Sequence, residues 1–139
     1  MPFVTLQYTA PADAALAARL ASELADLVCA VLRKDPLRTS VLLRPADPAH
    51  WFIAGRRLAD TGRHAFRLEV TVTDETNTRA EKQRFQREAF ALLSRLFGDI
   101  HPHSNVHVID CRAAAYGYGG ISQEEHWSRA SAQPAPDRP

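Results

Sequence analysis

The chain reads as an α+β protein in which two tandem β-α-β units form a four-stranded mixed sheet with two helices on one face. Three observations predict this. Strand-like alternation appears at residues 3–8 and again at 66–73, an apolar helical stripe follows each, and each unit closes on a further β-rich run. Parallel strands joined through a helix cross over right-handedly, which puts both helices on the same side of the sheet.

Residues 3–8 mix β-branched, aromatic and polar types as a half-buried strand does. Ala10-Pro11-Ala12-Asp13 is a helix start, with proline in the first turn and an acid facing the positive helix end. Leu16, Leu20, Leu24, Leu27 and Val31 then form one apolar stripe, and Asp35-Pro36 ends the helix. A second strand is expected over Thr39 to Arg44, followed by a proline-rich turn around Ala46-Asp47-Pro48. The pattern recurs in Phe66 to Thr73, which places Phe66, Leu68, Val70 and Val72 on one face. Thr78 and Glu81 fit a capping box, Phe85, Ala89, Leu92 and Leu96 form the second stripe, and Gly98 is positioned to cap it. Asn105 to Cys111 reads as the fourth strand. One domain over 2–128 is expected, with units at about 2–45 and 65–112. The Ser-, Ala-, Gln- and Pro-rich residues 129–139 are expected to form a disordered tail.

With 139 residues the chain is long enough to bury a sizeable core. A formal net charge of +1 argues against a phosphate-backbone binder, so no nucleic acid is expected. No apolar run approaches the roughly 20 residues that span a bilayer, and no basic-then-apolar leader opens the chain. A cytoplasmic location without membrane association is the resulting expectation, with Cys29 and Cys111 as free thiols. Both faces of the first strand carry apolar residues, Val4, Leu6 and Tyr8 on one side and Phe3 on the other. Helices cover only one of them, so self-association is expected to cover the second.

The residue before the first strand carries the chemistry. Pro2 is small enough to permit removal of Met1, which would expose a secondary amine at the end of a buried strand. An α-amino group has a pKa of about 8, and burial or nearby cations lower it toward neutrality. A general base works best in that range.

Pro2 opening a strand, the stretch Pro36-Leu37-Arg38-Thr39-Ser40-Val41, the turn Trp51-Phe52-Ile53-Ala54-Gly55, and the ending Asp110 to Gly120 together resemble the tautomerase superfamily. The turn is similar to one in 4-oxalocrotonate tautomerase. The tandem units and the ending are more similar to macrophage migration inhibitory factor and the fused bacterial members. The resemblance covers roughly residues 2–120. It implies a homotrimer whose active sites are completed by neighbouring subunits, and a small enol or 2-oxo acid as substrate. It makes Pro2 the catalytic base, with no cofactor and no metal. Lys34 falls at an active-site lysine, Asn105 and His107 at positions that reach a neighbouring site, and Tyr116 and Tyr118 at the apolar pocket wall. The carboxylate-binding arginines of the dehalogenase and decarboxylase branches correspond instead to Asp74, Glu75 and Asn77, and those of 4-oxalocrotonate tautomerase fall near Pro11 and Leu42.

Several of these residues have a second reading. His107 is either a hydrogen-bonded sheet histidine or an acid that protonates an enolate. Asn105 either begins a strand or orients a carbonyl oxygen. Lys34 is either a solvated helix-end cation or a substrate contact. Arg56, with Arg57 and Arg63, offers planar guanidinium groups for a carboxylate, or forms a solvated loop. Trp51 and Phe52 are packing residues or aromatic walls at a pocket mouth. Tyr116 and Tyr118, interleaved with glycines, suit a hairpin at a subunit seam, a pocket wall, or both. His101, His103 and His107 do not read as a metal site, since Pro102 intervenes and no carboxylate cluster accompanies them. The expected activity is proton transfer on a small 2-hydroxy-dienoate or enolised 2-oxo acid. The alternatives are a decarboxylase or hydratase of a small three-carbon acid, or a partner-binding protein with vestigial activity.

Overall fold

The computed structural model describes residues 1–133. Its main sheet has the order β2-β1-β5-β6, formed by β1 (Phe3–Tyr8), β2 (Ser40–Pro45), β5 (Phe66–Thr73) and β6 (Asn105–Cys111). β1 runs parallel to β2 and β5 parallel to β6, while β1 and β5 meet antiparallel at the centre. The sheet is therefore mixed, each half being one β-α-β unit. α1 (Ala14–Leu32) and α2 (Arg79–Phe97) lie together on one face.

Local chemistry explains the boundaries. The Asp13 side chain accepts from the Ala15 and Leu16 N–H groups and so starts α1, which ends with Arg33 in the left-handed conformation. At Thr78 and Glu81 both halves of the capping box are formed. Gly98 closes α2 at φ 88°, a conformation that disfavours any side chain. β2 begins one residue later than the sequence suggests, because Thr39 is spent closing the short 3-10 turn Pro36–Arg38. Its N–H donates to the Pro36 carbonyl and its hydroxyl to the Asp35 carbonyl.

The core lies between the sheet and the helices. Val4, Leu6 and Tyr8 of β1 and Phe66, Leu68, Val70 and Val72 of β5 pack on Leu20, Leu24, Val28, Phe85, Ala89 and Leu93. Tyr8 stacks on Phe97 with ring centroids 5.4 Å apart. Among the described residues no helix covers the other sheet face, where Phe3, Leu42 and Ile109 are 43%, 37% and 41% exposed.

One hairpin and one helix are additional to the sequence reading, and the hairpin that Tyr116 and Tyr118 suit is formed. The connection over 46–64 contains a small hairpin of β3 (Phe52–Ile53) and β4 (Arg56–Arg57). After β6 the chain forms a second hairpin, β7 (Gly117–Tyr118) with β8 (Ile121–Ser122). A third helix, α3 (Gln123–Ala132), follows at once, so the tail expected from residue 129 is helical through Ala132. The Ser122 hydroxyl caps it by accepting the Glu125 N–H, which offsets the weak apolar patterning of this segment. The rest of that expected tail, residues 134–139, lies outside the described residues. Among the described residues no helix is long and apolar enough to cross a membrane. Cys29 and Cys111 are both free.

Candidate active site

The amino end of the chain is built into the fold. Pro2 is buried, and its carbonyl accepts the Ser40 N–H at 3.2 Å, which ties the start of β1 to β2. The Met1 amine donates to the Tyr116 hydroxyl at 3.2 Å and to Gln123 Oε1 at 3.5 Å. Its pKa is held below the ordinary α-amino value, first by burial and then by the positive charges of Lys34 and Arg38.

Each neighbour is fixed by its own element. Lys34 follows the left-handed residue that ends α1, and its N–H returns to the Cys29 carbonyl. Its ammonium donates to the Thr76 hydroxyl at 2.9 Å, which in turn donates to the Thr73 carbonyl. Burial is the main cause lowering the Lys34 pKa; Arg33 adds to this, and Glu81 and Asp110 oppose it. Asn77 braces the same loop by donating to the Leu32 carbonyl and to Glu81. The Tyr116 hydroxyl also makes a short hydrogen bond with Thr73 Oγ1. Burial raises the Tyr116 pKa, so its phenol keeps its proton and is available as a donor.

The β7–β8 hairpin sets Tyr116 and Tyr118 in position. A Cβ at Gly117 would overlap the Ile121 carbonyl, which is why glycine separates the two tyrosines. Tyr118 stacks on His126 of α3, with centroids 3.9 Å apart. The Arg38 guanidinium sits 5.6 Å from the centre of the Tyr118 ring.

Four residues singled out in the sequence, Pro2, Lys34, Tyr116 and Tyr118, thus converge at one end of the sheet. The others lie elsewhere in the chain. His107 pairs with Glu69, and Glu69 with Thr5, so His107 lies roughly 10 Å along the strands and roughly 10 Å across from Pro2. It shares a cleft with Asn105, Trp51, Gln7, Ala46 and Arg67. The Asn105 amide is already donated to the His103 carbonyl. Phe52 is exposed beside Trp51 and His103. Arg56 donates to the Asp60 carbonyl, Arg57 grips Asp60 through two contacts of 3.2 Å, and Arg63 pairs with Asp99. Within one chain these arginines are therefore away from the amino end, Arg56 and Arg63 at a cleft that also contains His101. Among the described residues no group of three His, Cys, Asp or Glu side chains is arranged to hold a metal ion.

No family model and no curated protein sequence matches the chain. Solved structures do. Pt0534, crystallised after inactivation by 2-oxo-3-pentynoate, superposes with a TM-score of 0.78 at 18% identity, over 89% of this chain and 98% of that one. A fused 4-OT, solved as a wild-type symmetric trimer, gives 0.75 at 16% identity, over 88% and 96%. The macrophage migration inhibitory factor-like protein of Entamoeba histolytica gives 0.71 at 10% identity, over 87% and 97%. The fold is that of the tautomerase superfamily. In this tautomerase-type sheet β1 is a central strand, so its first residue has neighbours on either side and cannot fray freely into water.

Sequence reasoning passed over Arg38, Gln123 and His126 at this end. Arg38 falls within Pro36-Leu37-Arg38-Thr39-Ser40-Val41, where nothing in the sequence sets it apart from its neighbours. The Ser122 and Glu125 pair, spaced as a helix start, was a usable signal for α3 and hence for Gln123 and His126.

Proposed function

We propose that the protein is a cofactor-independent tautomerase that uses the amine of Pro2, exposed by removal of Met1, to move a proton on a small enolised 2-oxo acid or 2-hydroxy-dienoate. One observation carries this reading: the amino end of the chain is partly buried between two cations, Lys34 and Arg38, beside a proton-bearing phenol. The same surroundings would keep a secondary amine at Pro2 neutral near physiological pH. A neutral amine has the lone pair a base needs.

In the proposed cycle Pro2 nitrogen accepts the proton of the enol hydroxyl. The O–H electrons form the carbonyl, the double bond shifts along the conjugated system, and the distal carbon takes the proton back from the prolinium. Both directions pass through the enolate, whose oxyanion Lys34 or the Tyr116 hydroxyl would stabilise. A fixed donor in such a site contributes about 3 kcal/mol to a barrier.

The assembly is proposed to be a cytoplasmic homotrimer. The open sheet face supports self-association, since its exposed Phe3, Leu42 and Ile109 have no helix to cover them. His107 and Asn105 lie on that side and would reach an active site only from a second copy. Decarboxylation or hydration has less support. Of the residues replacing the arginines of those branches, Asn77 is spent on Leu32 and Glu81.

Intact-mass measurement should find the mature chain without Met1, and Pro2→Ala should lose turnover of phenylenolpyruvate and 2-hydroxymuconate. A retained Met1, which would leave Pro2 nitrogen an amide, or full activity in Pro2→Ala would end the reading.

A further inference from the structure

We propose that Arg38 is the carboxylate-binding residue of this site, its guanidinium held over the Tyr118 ring so that a small acid docks beside the chain's amino end. The proposal rests on the proton-transfer reading for the neighbouring base, and not for the anion site itself.

The position is rigidly supplied. Arg38 closes the 3-10 turn Pro36–Arg38, in which the Asp35 side chain accepts the Leu37 N–H, and two residues later the Ser40 N–H donates to the Pro2 carbonyl. The side chain rests over Tyr118, which stacks on His126, and His126 Nε2 lies 3.0 Å from the Tyr118 carbonyl. The C-terminal helix thereby holds the ring that carries the guanidinium. A side chain held before the ligand arrives loses less entropy on binding it.

The donors are also largely unspent. Among the described residues the one carboxylate within ion-pair distance of Arg38 is Asp35, at 3.7 Å, too long for a paired two-point contact, and Asp35 already accepts the Leu37 N–H at 2.9 Å. The Arg38 side chain keeps 55% of its surface open. Other cations near this end have partners: Lys82 is 2.6 Å from Asp110, and Arg33 is 3.0 Å from Glu81. Lys34 meets a threonine hydroxyl and, among the described residues, no carboxylate within ion-pair distance. Lys34 and Arg38 together thus leave an excess of positive charge at the amino end, which is the charge a carboxylate neutralises. Arg57 and Arg63, by contrast, already hold Asp60 and Asp99. A planar guanidinium fits the two oxygens of a carboxylate better than an ammonium does, which assigns the carboxylate to Arg38 and leaves Lys34 for the oxygen beside it.

Benzoylformate tests the site without turnover, since the carbon next to its ketone bears no hydrogen and it cannot enolise. Titration calorimetry on the full, processed protein should show Arg38→Gln weakening benzoylformate by at least about tenfold. The uncharged methyl benzoylformate should be unaffected. Arg38→Lys should recover part of the loss, because it restores charge without the two-point geometry. Tyr118→Leu, which removes the ring under a charge that remains, should weaken binding roughly two- to fivefold. Equal benzoylformate affinity in wild type and Arg38→Gln, equal losses for acid and ester, or no binding by the wild type would each overturn the assignment. Full turnover in Pro2→Ala with weakened benzoylformate in Arg38→Gln would remove the base and leave the anion site standing.

Discussion

The two ends of the central β1–β5 pair contain similar chemical material and differ in what is gathered around it. At the start of β1, groups far apart in sequence meet: Met1 with Tyr116 and Gln123, Lys34 with Thr76, Arg38 with Tyr118. Burial and two cations shift the properties of an amine there. At the other end His107, Asn105 and Trp51 line an open cleft, and the nearby charges, Arg67 and Glu69, pair with each other. A histidine has the better intrinsic pKa for proton transfer, yet the terminal amine has the more specific environment. Chemical aptitude belongs to a residue type, whereas a site belongs to a convergence of elements.

The strongest way to break this contrast is Pro2→Ala. In the processed chain kcat/KM for phenylenolpyruvate should fall at least about a hundredfold, the scale of a lost general base, while circular dichroism shows the fold retained. A smaller effect is expected at the far end. His107→Ala should cost on the order of tenfold, as for one hydrogen bond worth slightly more than 1 kcal/mol. Mixed assemblies of Pro2→Ala and His107→Ala chains should then regain part of the activity, because some sites would combine an intact proline with an intact histidine. If mixing restores nothing, the far end does not serve a neighbouring site.

Lys34→Met sharpens the electrostatic side of the comparison. On the proposed mechanism the Pro2 amine must be neutral to act, and burial together with Lys34 and Arg38 lowers the pKa of the Met1 amine beside it. Removing one cation lets the Pro2 pKa rise, so the acid limb of the kcat/KM profile should move to higher pH. A limb that stays in place, or moves lower, would separate Lys34 from the base. The smallest effect is expected from Thr78→Ala, which removes the cap of α2 at the same end. It should cost about 1 kcal/mol in thermal or urea unfolding and leave kcat almost unchanged. Glu81, the other half of that cap, has its carboxyl held below the ordinary value by the Asn77 bond first and the Thr78 N–H next. A lowered carboxylate pKa means the contribution is fully present above the ordinary range and is lost as pH falls through the lower, folded value. Asn77→Ala, which removes the first of these bonds, should therefore lose less stability than the wild type on acidification.

Much of the fold was legible because its signals are local. Strict alternation in Phe66 to Thr73, leucine spacing in α1, and the Thr78–Glu81 pair each declare an element within a few residues, and those elements formed where the patterns ended. α3 escaped notice because its apolar content is low and its cap is a single hydroxyl. Pro2, Lys34, Tyr116 and Tyr118 were recognisable from residue type and from resemblance to a known fold. Their meeting was not, and neither was the separation of His107 and the loop arginines from them. Periodicity is a property of neighbours along the chain, and that much the amino-acid order determines by itself. The grouping of charges around an amine depends on which strand lies beside which and in what register. Only the packed sheet decided it, by bringing β1, the turn before β2 and the β7–β8 hairpin to one edge of the molecule.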